Sequence, residues 1–188
     1  MILMLLGLLI FLGVHSVRIL ADDWRTAQIQ RIGEMPWKAA YSVVSILGLA
    51  LAIWGYGQMR LDPVSVWQPL SGLRHLVALL MIPAFILLVA AYVPGNHLKA
   101  KLGHPMILAV KLWAFAHLLA NGRLGDIVFF GAFLLWAVFD FRAARRRPRP
   151  EIAAPGMAGT VATVVIGLVA YVLFAFYLHP VLIGVPVM

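Results

Sequence analysis

Six apolar segments, each close to the length of a membrane-spanning helix, dominate this sequence and leave few folds open to it. They lie near residues 1–20, 39–58, 73–93, 104–121, 124–141 and 160–181. About twenty apolar residues in a helix cross the ~30 Å hydrocarbon core of a bilayer. Hydrophobic residues make up 63% of the chain and charged residues 12%, whereas soluble domains contain roughly half and a quarter. The sequence therefore predicts an all-α, polytopic membrane helix bundle of about six transmembrane helices, a single domain over residues 1–188, with the lipid bilayer as its main partner.

The Lys and Arg residues are distributed unevenly over the connections between these segments. With six spans both termini share one side, and the opposite side receives eleven of the 15 basic residues: Arg18, Arg25, Arg31, Lys38, Lys99, Lys101, Arg142, Arg145, Arg146, Arg147 and Arg149. Cytoplasmic loops of membrane proteins carry an excess of Lys and Arg. We therefore predict an inner-membrane protein with both termini periplasmic. The arginine run is interpreted as a topology signal near anionic headgroups, not as a contact for nucleic acid.

The fourth segment combines an apolar sequence with three ionisable side chains, those of His104, Lys111 and His117. An ionisable group at membrane depth costs several kcal/mol and marks a functional site. Pro105 suits the first turn of a helix, and Asn121 with the glycine after it suits the end, which gives a helix of ~26 Å. At 100° per residue, Lys111 lies about 20° from His104 and His117 about 140° from it.

His15 and His117 both lie inside apolar segments, on different predicted helices. A buried neutral imidazole requires a hydrogen-bond partner or a metal. For one such histidine, a bond to Ser16, Tyr41 or a backbone carbonyl is the ordinary structural solution. Two of them on separate helices favour a cofactor that both share.

The remaining composition restricts which cofactor this pair can hold. The absence of cysteine excludes disulfides, iron–sulfur clusters and covalently attached c-type haem. Carboxylates inside the helices are limited to Asp126 and Asp140, near the ends of the fifth segment, which disfavours a hard-cation site. Two neutral imidazoles, from His15 and His117, suit the axial positions of haem iron between helices. His97, in a connection, can contact a propionate of such a haem.

Several motifs resemble those of the NnrU family of bacterial membrane proteins. They are F-L-G-V-H-S-V-R-I-L-A-D, G-N-H-L-K and K-L-G-H-P-M-I-L-A-V-K-L-W-A-F-A-H-L-L-A-N-G, and the resemblance extends over essentially the whole chain. It implies a role in denitrification, in nitrite and nitric oxide reduction. The family is also similar to plant zeta-carotene isomerase, a membrane enzyme that binds haem b between two histidines.

The resemblance to the isomerase also implies particular ligands. Its V-H-S and A-H motifs match His15 and His117, and its His-Pro histidine matches His104. The isomerase has Arg before its His-Pro, where this chain has Gly103. Because the rest of the isomerase's substrate pocket is not traceable in this sequence, its activity does not transfer.

Helix geometry leaves two pairings of the candidate ligands open. His15 is expected roughly 5 to 10 Å from the cytoplasmic boundary and His117 about 20 Å along its helix from His104. If His104 lies a few Å outside the hydrocarbon, the depths of His15 and His117 differ by about 5 to 10 Å, which a tilted haem can bridge. If His104 lies at the hydrocarbon edge and the first helix ends at Arg18, His15 and His104 form the better pair. The resemblance favours His15 with His117.

Lys111 has two interpretations that the sequence leaves equal. A long side chain near the end of a span can extend, or snorkel, toward the headgroups. Lys111 can instead pair with a haem propionate, together with Arg18 or Lys99.

Three functions follow from these observations. The first is a haem-b membrane component of denitrification that acts by electron transfer, nitric oxide handling or reductase maturation, beside another membrane protein of nitrogen-oxide reduction. The second is a membrane isomerase, or another enzyme for a lipid-soluble polyene, with haem as a redox switch. The third is a cofactor-free assembly factor for a membrane reductase.

Overall fold

The computed structural model describes residues 1–148 and 153–187, and these residues form helices without any strand. The nine α-helices are α1 (Ile2–Leu20), α2 (Asp22–Ile32), α3 (Glu34–Leu61), α4 (Leu73–Ala90), α5 (His97–Leu102), α6 (Pro105–Ala120), α7 (Leu124–Arg146), α8 (Met157–Leu173) and α9 (His179–Ile183). A π-helical turn, Phe174–Leu178, joins α8 to α9.

Five helical stretches in the described residues are long and apolar enough to cross a membrane. They are α1, α3, α4, α7 and the continuous stretch Met157–Ile183. The remaining apolar helix, α6, corresponds to the fourth apolar segment of the sequence. It has 16 residues, which corresponds to a length of ~24 Å. The protein is thus a multi-pass membrane protein built as a helical bundle, as the apolar segments predict.

The connections contain more helix than hydropathy indicates. Residues 22–38, predicted as a polar connection, contain α2 and the first turn of α3. Asp22 and Asp23 lie in the first turn of α2 and Arg31 in its last turn, where each charge complements the helix dipole. The helix α7 continues past the predicted end at residue 141 to Arg146. Hydropathy finds only apolar helix, so polar helices and polar extensions escape it.

Glycine allows α1 and α3 to pack with their backbones almost in contact. A methyl group added at Gly7 would lie 2.2 Å from the backbone nitrogen of Ala52, and one added at Gly55 would lie 2.2 Å from that of Met4. Small residues at such crossings permit the close approach on which helix association in membranes depends. The other principal pairings join α6 to α4 and α7, α4 to α8, and α1 to α7.

Hydrogen bonds place the connections at two ends of the bundle. One end of the bundle holds both chain termini, and we call it the terminal end. There Trp67 donates its backbone N–H to the carbonyl of Gly122 at 3.1 Å, which joins the connections after α3 and α6. Arg60 donates to the carbonyl of Ile183 at 2.7 Å at the same end.

The opposite end of the bundle, which we call the basic end, holds the connections after α1, α4 and α7. It also carries the Lys residues of α5 and the Arg residues at the end of α7. There Gly156 donates its backbone N–H to the carbonyl of Gly95 at 2.8 Å. Lys99 donates from Nζ to the carbonyl of Ala91 at 2.8 Å and so satisfies a carbonyl at the end of α4. This grouping matches the alternation expected of six spans.

Candidate functional site

His15 lies half-buried on α1 among three aromatic side chains. Its ring centroid is 4.2 Å from that of Phe11, 5.1 Å from that of Tyr41 and 5.9 Å from that of Trp136. Its Nδ1 is 2.7 Å from the carbonyl oxygen of Phe11, one helical turn earlier. A carbonyl only accepts, so the neutral ring carries its proton on Nδ1 and keeps the lone pair on Nε2.

His117 on α6 has the same local arrangement. Its Nδ1 is 2.8 Å from the carbonyl oxygen of Trp113, again one turn earlier, so that Nε2 keeps the lone pair. The ring stacks on Phe130 of α7 with the centroids 4.7 Å apart. Asn121 donates from Nδ2 to the carbonyl of His117 at 2.7 Å and closes the helix where the sequence predicted its end.

A continuous series of ring contacts links the two histidines. From His15 the series passes to Phe11, then Phe133 (5.7 Å), then Trp113 (5.3 Å) and finally His117 (5.4 Å). The two imidazoles themselves share no ring contact among these described residues. We call the rings that join them the aromatic layer: Phe11, Trp113, Phe129, Phe130 and Phe133.

The helix α7 provides a common scale for the depths of the two imidazoles. His15 lies beside Trp136 and His117 beside Phe130. Six residues separate these contacts, about 9 Å along a helix axis. This spacing agrees with the difference in depth of about 5 to 10 Å expected from the helix geometry, and a haem shared by the two histidines stays a prediction.

His104 lies on the other side of His15 along the same scale. It precedes α6 as the N-cap residue, with Pro105 in the first turn as predicted. It lines a cavity together with Phe141 of α7, and Phe141 is five residues, or about 7.5 Å, beyond Trp136. Because His104 and His117 lie at similar axial distances from His15, spacing along α7 does not choose between the two predicted pairs.

Lys111 and His97 make protein contacts of their own. The Lys111 Nζ lies 4.8 Å from the ring centroid of Phe141, toward the basic end, which is the direction that a snorkelling lysine takes. The His97 ring is exposed, and its Nδ1 is 2.7 Å from the hydroxyl of Thr160 on α8. Neither residue is in ring contact with the aromatic layer, and their pairing with a propionate stays a prediction.

A buried polar pair, which the sequence analysis did not predict, lies at the other edge of the aromatic layer. Asp126 in the first turn of α7 is 4% exposed, and its Oδ1 accepts a hydrogen bond from the hydroxyl of Tyr56 on α3. The ring of Tyr56 contacts Phe129 at 4.9 Å. An aspartate within an apolar helix was the available signal, but only the fold shows which phenol it meets.

A cavity near the basic end is lined by a tyrosine whose ring contacts His15. This cavity of about 530 Å³ lies between α1, α2 and α3 and includes Tyr41, whose ring contacts His15. Its lining includes the cationic side chains of Arg18, Arg25 and Lys38 and the carboxylate of Glu34. Lys38 pairs with Glu34 at 2.7 Å, and Arg25 lies 3.4 Å from a carboxylate oxygen of Asp22. Of these three cations, Arg18 forms no ion pair within the described residues, so it is the one available to an anionic group at this position.

The family model of the NnrU protein matches residues 3–187. The chain belongs to the NnrU family. Comparison with curated proteins and with solved structures gives no significant match. The matched range includes all the motifs on which the resemblance was based.

The donor set of this NnrU protein is small. The described residues contain no group of three or more His, Asp or Glu side chains placed to hold a metal ion. At the aromatic layer the available donors are the two Nε2 atoms of His15 and His117. Beside His15, the buried Trp136 Nε1 has no hydrogen-bond partner within the described part of the chain. Two imidazoles in apolar surroundings match the ligand chemistry of a haem iron; the rings of Phe11, Phe133 and Trp113 occupy the path between them in this structure.

Proposed function

We propose that this NnrU protein binds one b-type haem through His15 and His117, in the bacterial inner membrane, and that it supports denitrification. The observation that carries the proposal is the shared arrangement of the two half-buried imidazoles. Each donates Nδ1–H to its own helix and keeps Nε2 for a ligand. The denitrification role comes from membership of the family.

The residues of the chain supply binding and orientation. Hydrogen bonds from Nδ1 to a carbonyl fix the ring and raise the basicity of the other nitrogen, as second-shell partners of metal-ligating histidines do. The aromatic layer offers flat apolar surface to a flat cofactor, and Arg18, which lines the cavity beside His15, supplies positive charge for a propionate. A bound haem would supply one-electron chemistry and, with a labile axial position, a site for nitric oxide.

The partner of such a protein must meet it at the membrane. The described residues are almost entirely membrane helices and short connections, so they include no soluble redox domain. We therefore place the electron donor or reductase in the same membrane, as another protein of nitrogen-oxide reduction.

Absorption spectra of the purified protein, oxidised and reduced, test the haem. We expect a b-type spectrum in the parent, and a loss of haem content of at least about tenfold in H15A and in H117A, since even second-shell substitutions commonly weaken metal sites tenfold or more. H75A is the matched control because His75 is exposed and lies outside the aromatic layer; its spectrum should equal that of the parent.

H104A separates the two pairings that the sequence left open. We expect it to retain the spectrum, because His104 only occupies the N-cap position of α6, without a capping bond from its side chain, and is not a ligand in this proposal. Loss of haem in H104A with retention in H117A would replace our pair by His15 and His104. A parent without haem would refute the cofactor.

In a deletion strain, the parent gene should restore nitrite and nitric oxide reduction and H15A should not; unimpaired reduction in the deletion strain would refute the role in denitrification.

A further inference from the structure

A cavity of about 280 Å³ opens at the basic end between α5, α6 and α7. The titratable side chains of its lining are cationic or histidine, and the others are apolar. The complete lining is Lys101, Leu102, His104, Leu108, Phe141, Ala144, Arg145 and Arg147. The lining of the cavity is therefore part cationic and part apolar.

Arg147 supplies donors that the described protein does not fully use. Its Nη2 lies 3.6 Å from Oδ1 of Asp140, and its side chain is 24% exposed. Its Nη1 is buried and has no hydrogen-bond partner within residues 1–148 and 153–187. A guanidinium offers five N–H donors in a planar fork, a geometry that matches the oxygens of phosphate and carboxylate.

The apolar part of the lining comes from Leu102, Leu108, Phe141 and Ala144. Phe141 holds two cations over its ring, Lys111 Nζ at 4.8 Å and the Arg145 guanidinium at 5.8 Å from the centroid. Leu108 lies in the first turn of the apolar helix α6. A ligand that fills both parts must be anionic at one end and hydrocarbon at the other.

We propose that this cavity binds the phosphate group of an anionic phospholipid. The phosphate is held by Arg147, Arg145 and Lys101, and the start of an acyl chain lies against Phe141 and Leu108. Basic pockets between helices at the cytoplasmic face are suited to such headgroups. The site does not depend on a haem, so its test is separate from that of the proposed function.

The alternative is a diffuse attraction of lipid to the arginine run, and the chain contains a matched control for it. Arg142 and Arg146 lie on the same end of α7 as Arg145, are exposed, and are absent from the lining of the cavity. The variants K101Q/R145Q and R142Q/R146Q therefore lose the same charge from the same end of the bundle. They differ only in whether the cavity loses it.

Native mass spectrometry of the purified full-length chain, titrated with phosphatidylglycerol or with phosphatidylcholine of the same acyl chains, measures the binding. We expect the parent to prefer phosphatidylglycerol. K101Q/R145Q should weaken that binding about tenfold or more, which corresponds to about 1.4 kcal/mol per tenfold, and R142Q/R146Q should change it less than about twofold. R147Q, which removes the part-buried guanidinium alone, should give a loss similar to that of K101Q/R145Q.

Three results would overturn the proposal. Equal weakening in K101Q/R145Q and R142Q/R146Q would show a diffuse charge effect. Both lipids carry the same phosphodiester, so equal binding of the two would show that the net negative charge of the headgroup is not recognised. Inorganic phosphate that binds the parent as tightly as phosphatidylglycerol would identify a free anion, not a lipid, as the ligand. Thermal unfolding of each variant shows that it is folded before it is titrated.

Discussion

At the scale of single residues, the buried carboxyl group of Asp126 depends on one phenol. Asp126 is 4% exposed and accepts its side-chain hydrogen bond from Tyr56. A buried polar group that loses its partner keeps the full cost of its lost solvation. This pair also joins α3 to α7 at the edge of the aromatic layer, so its loss should affect the bundle as a whole.

We expect Y56F to lower the free energy of unfolding by about 1–3 kcal/mol, because the carboxyl group then lacks its donor. Thermal or denaturant unfolding of the purified protein in one detergent measures the change. Y92F removes the same hydroxyl from a residue that is 72% exposed and should leave stability unchanged. A stability equal to that of the parent in Y56F would mean that water satisfies Asp126.

At the scale of elements, the contact between α1 and α3 depends on residues without side chains. Gly55 lies against the backbone of Met4, while Gly57, two residues later on α3, has nothing within 4 Å of an added methyl group. The two glycines share a helix and nearly the same depth, and they differ in the helix face on which they lie. His15 reaches the aromatic layer from α1, so this packing also positions the candidate site.

We predict that G55A forces α1 away from α3 and costs about 1–3 kcal/mol of stability, as overpacking commonly does. G57A should leave stability unchanged or raise it by up to ~1 kcal/mol, because alanine favours a helix over glycine. Unfolding measured in the same detergent compares the two. If G55A were as stable as G57A, the close approach of the two backbones would be wrong.

At the scale of the whole molecule, the connections are divided between two ends with very different charge. The terminal end is closed by the bonds of Trp67 to Gly122 and of Arg60 to Ile183. The basic end carries the arginines at the end of α7, Arg142, Arg145 and Arg146, and Arg147 after it; Arg149 of the same run lies outside the described residues. By the excess of Lys and Arg in cytoplasmic loops, this uneven charge predicts the orientation of the bundle in the membrane.

We predict that both termini are periplasmic. Reporter fusions measure this: a reporter that is active only outside the cytoplasm should be active after residue 188 and inactive when inserted beside residue 153. A reporter that is inactive after residue 188 and active beside residue 153 would show the opposite orientation. Activity of the C-terminal fusion in the cytoplasm with an unchanged insertion signal would contradict the six-span arrangement.

Local signals in the sequence determined the class of fold and the limits of several helices. Apolar segments of bilayer length predicted the membrane helices, and Pro105 and Asn121 predicted where α6 begins and ends, because these residues act on the backbone beside them. Two buried histidines in different segments were also visible without a structure. The polar helix α2 was not, since hydropathy registers only apolar helix.

Only the tertiary structure decided which side chains meet. A soluble helix shows its buried face by a stripe of apolar residues. A membrane helix is apolar on the faces that contact lipid as well as on those that contact protein. Its sequence therefore indicates that it spans the membrane but not which face packs against the other helices. For this reason the stacking of His117 on Phe130, the bond from Tyr56 to Asp126 and the contact of Gly55 with Met4 had no sequence signature of their own. These contacts follow from how the helices pack, and packing depends on small residues and on shape.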